Sequence, residues 1–207
     1  IQFRVIDTAV GAALAALANA FLWPTREAKT LKQNLADSLR AHRNYLAAIE
    51  QHYDTKEELA LAYKLARKKA FIATAGLNSG VQRLLQEPKS KGKLTGKLYE
   101  LAVLNHAFLG ALASIGAYLR THNVTRRSEA FHQVTAPVFK NIDHALLLLE
   151  AQNTQADWEE EDLVPFETQL TQEPDEALLE THILSEQLAS LKRLSEQVNK
   201  QLKNLHA

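Results

Sequence analysis

Any chemistry in this chain must come from histidines, carboxylates and a few basic clusters, because there is no cysteine. Without cysteine, neither a disulfide framework nor a thiolate metal site can form. The eight histidines, at 42, 52, 106, 122, 132, 144, 182 and 206, are scattered. Glu129-Ala130-Phe131-His132 has the spacing that puts a carboxylate and an imidazole on one helical face. A di-iron centre of the ferritin kind needs two such motifs and two further glutamates. No second Glu-x-x-His occurs, so His132 reads as a solvated or locally paired side chain. There is no Gly-rich phosphate loop, no Gly-x-Ser-x-Gly and no His-Glu-x-x-His. The chain therefore reads as a non-enzyme with no metal and no cofactor. Arg67-Lys68-Lys69 and Lys89-Ser90-Lys91-Gly92-Lys93 are basic, but no reading helix or aromatic interleaving accompanies them. Solvent or lipid headgroups suit them better than nucleic acid. The acidic run Asp157–Asp162 reads as a solvated loop with Trp158 tucked against the protein.

The remaining candidates lie at the start of the chain. Val5–Trp23 is an apolar stretch with a single charge, Asp7. Its length matches the ~17–25 residues needed to cross a hydrocarbon core. An ionisable residue within or at the edge of a membrane span is costly, and is a functional candidate for that reason. Arg4 stands three residues before Asp7, close enough to pair with it on a helix. The pair could serve function or simply anchor the helix end. Gly11 and seven alanines make the segment small-faced, as expected of a helix that packs closely against other membrane helices. Asn19 could bond across to such a neighbour. Trp23-Pro24 marks the interfacial exit, and Arg26, Lys29, Lys32, Arg40 and Arg43 follow it. By the positive-inside rule the following region is cytoplasmic. Other readings compete. Ala18-Asn19-Ala20 fits a signal-peptide cleavage site, though Asp7 and the basic sequence that follows argue against export. A buried helix of a soluble protein is another, and an amphipathic surface helix a third, weakened by the absence of a charged face.

The rest of the 207 residues is built for helices. Leu, Ala, Lys, Glu and Gln dominate, with only 7 Gly and 5 Pro. The spacing predicts a helix over about 25–53 with Leu31, Leu35, Leu39, Leu46 and Ile49 inward. A capping box at Thr55–Glu58 opens a helix to about 87. Its apolar side carries Leu59, Ala62, Tyr63, Ala66, Ala70, Ala73, Leu77, Val81 and Leu84. A helix over about 94–122 is apolar all round apart from Glu100, Asn105 and His106. It could be a second span, but its polar residues favour the centre of a bundle. A fifth helix, about 126–152, should kink at Pro137. A polar linker, 153–174, precedes a last helix from Pro174 to about 204 with an apolar stripe running from Leu178 to Leu205. Net charge is zero yet polarised: residues 1–123 carry 17 basic and 9 acidic side chains, residues 124–207 carry 7 and 15. Either the halves attract each other within one bundle, or the basic half faces anionic lipid.

Arg4-Val-Ile-Asp7-Thr8-Ala-Val-Gly11, the alanine-rich run and Phe21-Leu22-Trp23-Pro24 resemble a segment of the fusaric-acid-resistance-like family of bacterial inner-membrane proteins, related to aromatic acid exporters. The arrangement, with Glu87-Pro88 after the basic helix, is similar to the YccS/YhfK branch. The specific match covers about the first 24 residues. It implies that 1–24 is the last span of a larger membrane domain and that 25–207 is a cytoplasmic region. The chain begins with Ile, as expected of a piece of a longer or processed protein; it contains no Met, for which the sequence offers no physical reason.

The expected architecture is all-α: one N-terminal transmembrane helix (1–24), then an antiparallel cytoplasmic bundle of about five helices (25–207). The expected function is that of the C-terminal part of an inner-membrane efflux transporter for aromatic or other organic acids, with a regulatory or assembly bundle. Its expected partners are membrane lipid, the other transmembrane helices of the same protein and further copies of itself. The candidate residues for the transport path or helix packing are Arg4, Asp7, Thr8, Gly11 and Asn19. The competing reading is a helical scaffold or protein-binding module with no transport role.

Overall fold

The structure, a computed structural model, describes residues 2–22, 24–55, 60–86, 93–121, 129–150 and 176–206, and all of them are helical. The six helices are α1 (Gln2–Leu22), α2 (Pro24–Thr55), α3 (Ala60–Gln86), α4 (Lys93–Thr121), α5 (Glu129–Glu150) and α6 (Glu176–His206). The capping box after Thr55, Glu87-Pro88, most of the basic loop, the acidic linker and both tryptophans lie outside the described residues. Pro137 sits inside α5, which continues through it.

Five of the helices, α2 to α6, form the bundle. Its spine is α2, where Leu31, Leu35, Leu39, Leu46 and Ile49 are buried as their spacing predicts. Ser38, His42 and Tyr45 share that stripe and are buried with them. On α3 the inward side carries Tyr63, Ala70, Leu77 and Val81, whereas Ala62 is exposed. Ala62 falls about 100° round the helix from Tyr63, beyond the edge of the stripe.

The apolar α4 packs against α2, α3 and α6. Leu101, Phe108, Leu112 and Ile115 on it are almost fully buried. Among the described residues it is the helix long and apolar enough to cross a membrane, over Thr95–Thr121, and half of that window is buried inside the bundle. The position between three neighbours accounts for its all-round apolarity.

Side-chain pairings set the directions. Tyr45 meets Tyr63 and Ser38 meets Thr74, so α2 and α3 are antiparallel. Arg43 binds Asp143 and Glu50 binds His132, so α5 is antiparallel to α2. Asn105 bonds Ser38 while Gly116, further along α4, abuts Tyr45, so α4 runs parallel to α2. Lys97 near the start of α4 reaches the carbonyl of Asn204 near the end of α6, and Phe108 lies level with Ser195 and Val198, so α6 opposes α4. Consequently α5 and α6, joined at mid-length by the bond of Asn141 to Ser195, run in the same direction. The bundle is thus not antiparallel throughout as expected. The chain between Glu150 and Glu176 is long enough to return along the ~33 Å of α5.

The tightest contact at a glycine is at Gly116. A Cβ there would collide with the Tyr63 hydroxyl and lie 3.0 Å from that of Tyr45. The tyrosines bond to each other at 3.0 Å, edge to face. Burial, then the Tyr63 hydrogen bond, raises the Tyr45 pKa, so this phenol stays protonated. By contrast, Gly110 is exposed and a Cβ there meets nothing within 4 Å. Gly116→Ala should therefore lower stability by ~1–3 kcal/mol despite its better helix propensity. Gly110→Ala should raise it by about 0.5–1 kcal/mol. Urea unfolding of the two variants checks the opposite signs.

Candidate functional site

On a continuous helix, spacings of three and four residues return to one side. Arg4, Asp7, Thr8 and Gly11 therefore share one face of α1, and Ala15 extends it. Ile6, Val10 and Leu17 lie across the helix from Thr8, whereas Leu14, seven residues after Asp7, sits beside it at the border of the polar face. Thr8 Oγ1 donates to the Arg4 carbonyl at 2.8 Å, so its hydroxyl is satisfied within the helix. Arg4 and Asp7, though three apart, form no ion pair with each other. A Cβ on Gly11 would meet nothing within 4 Å, so packing within this chain does not require glycine there. The side chain of Asn19 lies outside the described ones.

Every side chain from Arg4 to Leu17 is exposed. Val5, Ile6, Val10, Leu14 and Leu17 each leave 52% to 64% of their surface uncovered. Burying side chains of this size is worth about 1.5–3 kcal/mol each. Among the described residues α1 touches only α2, and none of them covers this surface.

The bundle holds a second polar constellation, which the sequence reading only partly found. Asn105 Nδ2 donates to Ser38 Oγ at 2.8 Å. Ser38 Oγ lies 3.2 Å from Thr74 Oγ1, which lies 3.0 Å from His42 Nε2. All four side chains are essentially fully buried, and the His42 ring stacks on Phe108. The hydroxyl protons can be ordered in one direction, from Asn105 through Ser38 and Thr74 to His42 Nε2 as acceptor. His42 Nδ1 and Asn105 Oδ1 then end the chain without partners. No carboxylate orients the histidine, and no ligand-sized cavity adjoins it among the described residues. Its evident role is to join α2, α3 and α4 in one register. The signal in the sequence was two polar residues, Ser38 and His42, on an otherwise apolar stripe. Asn105 stood out in α4, but its neighbour His106 is exposed, because adjacent residues on a helix face different ways.

His132 is locally paired. Its Nδ1 lies 2.9 Å from Glu50 Oε1, which also accepts from Thr135 at 2.7 Å. No three metal-ligating side chains converge among the described residues. Arg43 grips Asp143 through Nε at 2.6 Å and Nη2 at 3.2 Å, and that hydrogen bond holds the guanidinium more firmly protonated. A cavity of about 10 Å³ between Leu39, Phe108, Asn141 and Val198 is on the scale of one water.

These features define an all-helical protein: a bundle with a polar internal joint, and one apolar helix that the bundle does not cover. Comparison with known proteins gives the particular likeness. The chain is 33% identical over 115 residues to inner membrane protein YccS of Escherichia coli K12, a match covering 56% of this chain and 16% of YccS. It is 27% identical over 147 residues to an uncharacterized protein of Haemophilus influenzae, covering 71% of this chain and 20% of that one. A third relative, the uncharacterized protein ORF2 of Neisseria gonorrhoeae, is 34% identical over 86 residues, 41% and 21% of the two chains. The chain thus spans about a fifth of the length of the curated relatives it matches. The YccS-like resemblance read from the sequence is borne out. No family model and no solved structure matches the chain.

Burial pushes the His42 imidazole from the usual 6.5 down to about 3. The unfolded chain takes up a proton below 6.5 while the folded one does not. Stability should therefore fall as the pH falls through that window, by up to ~1.4 kcal/mol per pH unit. In His42→Gln this contribution vanishes. The stability lost between pH 7 and pH 5 should be about 2 kcal/mol smaller in that variant than in the parent, as urea unfolding at the two pH values would measure.

Proposed function

We propose that this chain is the final span and cytoplasmic helical region of a larger bacterial inner-membrane transporter. The observation that carries the reading is the uncovered apolar surface of α1. In water a helix of this composition would bury its large side chains against the bundle, and in lipid it need not. Its 21 residues, about 32 Å at 1.5 Å each, match the hydrocarbon core. Likeness to an inner membrane protein supports the same location. The basic residues after Pro24 favour placing residues 25–207 on the cytoplasmic side.

The two faces of α1 suggest how it sits. Ile6, Val10 and Leu17 suit lipid. The side with Arg4, Thr8 and Gly11, bordered by Asp7 and Leu14, suits close contact with the other spans of the whole protein. A single helix encloses no path, so transport belongs to the complete molecule. Resemblance to the fusaric-acid-resistance-like family points to efflux of aromatic or related organic acids. The reading assigns no catalysis to the bundle.

Because α1 packs so little on the bundle, residues 25–207 should keep their helicity and cooperative unfolding without it. Residues 1–207 should stay in membranes washed with alkaline carbonate, and residues 25–207 should be released. Release of both forms would favour the scaffold reading. In the complete protein, Asp7→Asn should reduce efflux of an aromatic acid several-fold at unchanged abundance. Unchanged efflux would leave Asp7 as an anchor at the helix end.

A further inference from the structure

The outward face of α3 combines large apolar side chains with basic ones. Leu61, Leu65 and Ile72 lie directly opposite the buried stripe of Tyr63, Ala70 and Leu77, and are 80%, 48% and 60% exposed. Lys64, Lys68 and Lys69 stand among them, also exposed, and Arg67 lies over the ring of Phe71 at the edge of the face, 5.4 Å from its centroid. Helix α3 contains no acidic residue. The contact between Tyr63 and Gly116 sets this half of α3 beside the stretch of α4 that exposes Ala107, Gly110, Ser114, Ala117 and Arg120, so that flank is small and carries no acidic group.

We propose that this face of α3 docks on an anionic lipid bilayer surface, with Leu61, Leu65 and Ile72 in the acyl boundary and the lysines on the phosphates. A helix face combining apolar side chains with basic ones is what interfacial binding requires. The lysine stems can lie along the apolar boundary while their ammonium groups reach outward to the headgroups. Charge decides the occupant. A second copy meeting this face with its own would set lysine against lysine. The proposal rests on the membrane reading of the protein, but it concerns a helix that reading does not use.

The chain has no cysteine, so single cysteines can carry an environment-sensitive fluorophore. Leu65→Cys, Ile72→Cys, Leu14→Cys and Leu147→Cys would each be labelled in the full 207-residue chain. Each would be combined with vesicles of phosphatidylcholine alone, or of phosphatidylcholine and phosphatidylglycerol in equal parts. Labels at 65 and 72 should shift to the blue and lose access to aqueous iodide only in the mixed vesicles. High salt, or the triple variant K64E/K68E/K69E, should reverse both effects, while a label at 147 on α5 stays in water throughout. Labels at 65 and 72 that remain open to iodide in the mixed vesicles would overturn the proposal. So would equal shielding in both kinds of vesicle, which would indicate a protein contact in place of a lipid one. The label at 14 reports separately on α1, so failure of the α3 contact and failure of the membrane span give different results.

Discussion

The bundle depends on the burial of one long stripe on α2. From Leu31 to Tyr53 that stripe meets α3, α4 and α5, so three helices take their position from a single element. The stripe works because its residues recur at three and four positions over many turns. Helix α6 then closes the remaining side against α4 and α5. Apolar burial of this kind is strong but indifferent to register, since leucine slides past leucine at little cost. Register comes from the groups that tolerate no sliding.

Those groups lie at several levels along α2. The joint of Ser38, His42, Thr74 and Asn105 ties three helices together where desolvated polar atoms would be costly if displaced. The pair Tyr45–Tyr63 closes over Gly116, where the lack of a side chain lets α4 approach. On the α5 side, Arg43–Asp143 and Glu50–His132 set the antiparallel alignment. The exposed ion pairs contribute little free energy individually, and the buried joint gains its influence from the low dielectric around it. A neutral histidine in that joint also makes the bundle's stability depend on protons.

The proposed function rests on surfaces. Helix α1 leaves a full set of large apolar side chains uncovered, and α3 presents leucine and isoleucine among lysines. Both are expensive in water and would be inexpensive at a bilayer, where the proposed reading sets α1 within the hydrocarbon and α3 at its boundary. The polarised charge of the sequence fits this picture, since the basic excess falls in the part of the chain that holds α1 to α4.

Much of this was legible in the residues themselves. Period alone marked the inward leucines of α2 and α6, and the all-round apolarity of α4 marked it as central, because both reflect how a helix meets apolar surroundings. The small and polar face of α1 follows from spacing as soon as the segment is helical. Other features needed the fold. His42 and Ser38 acquire a role only where the fold brings Thr74 and Asn105, distant in sequence, beside them. The shared direction of α5 and α6 could not be read, since a long connection permits either course and only side-chain pairings between helices decide it. Likewise the lysines of α3 gained meaning only when packing showed which side faces out. Local pattern records the burial of each helix, whereas the identity of its neighbours is settled by contacts between parts of the chain that periodicity cannot relate.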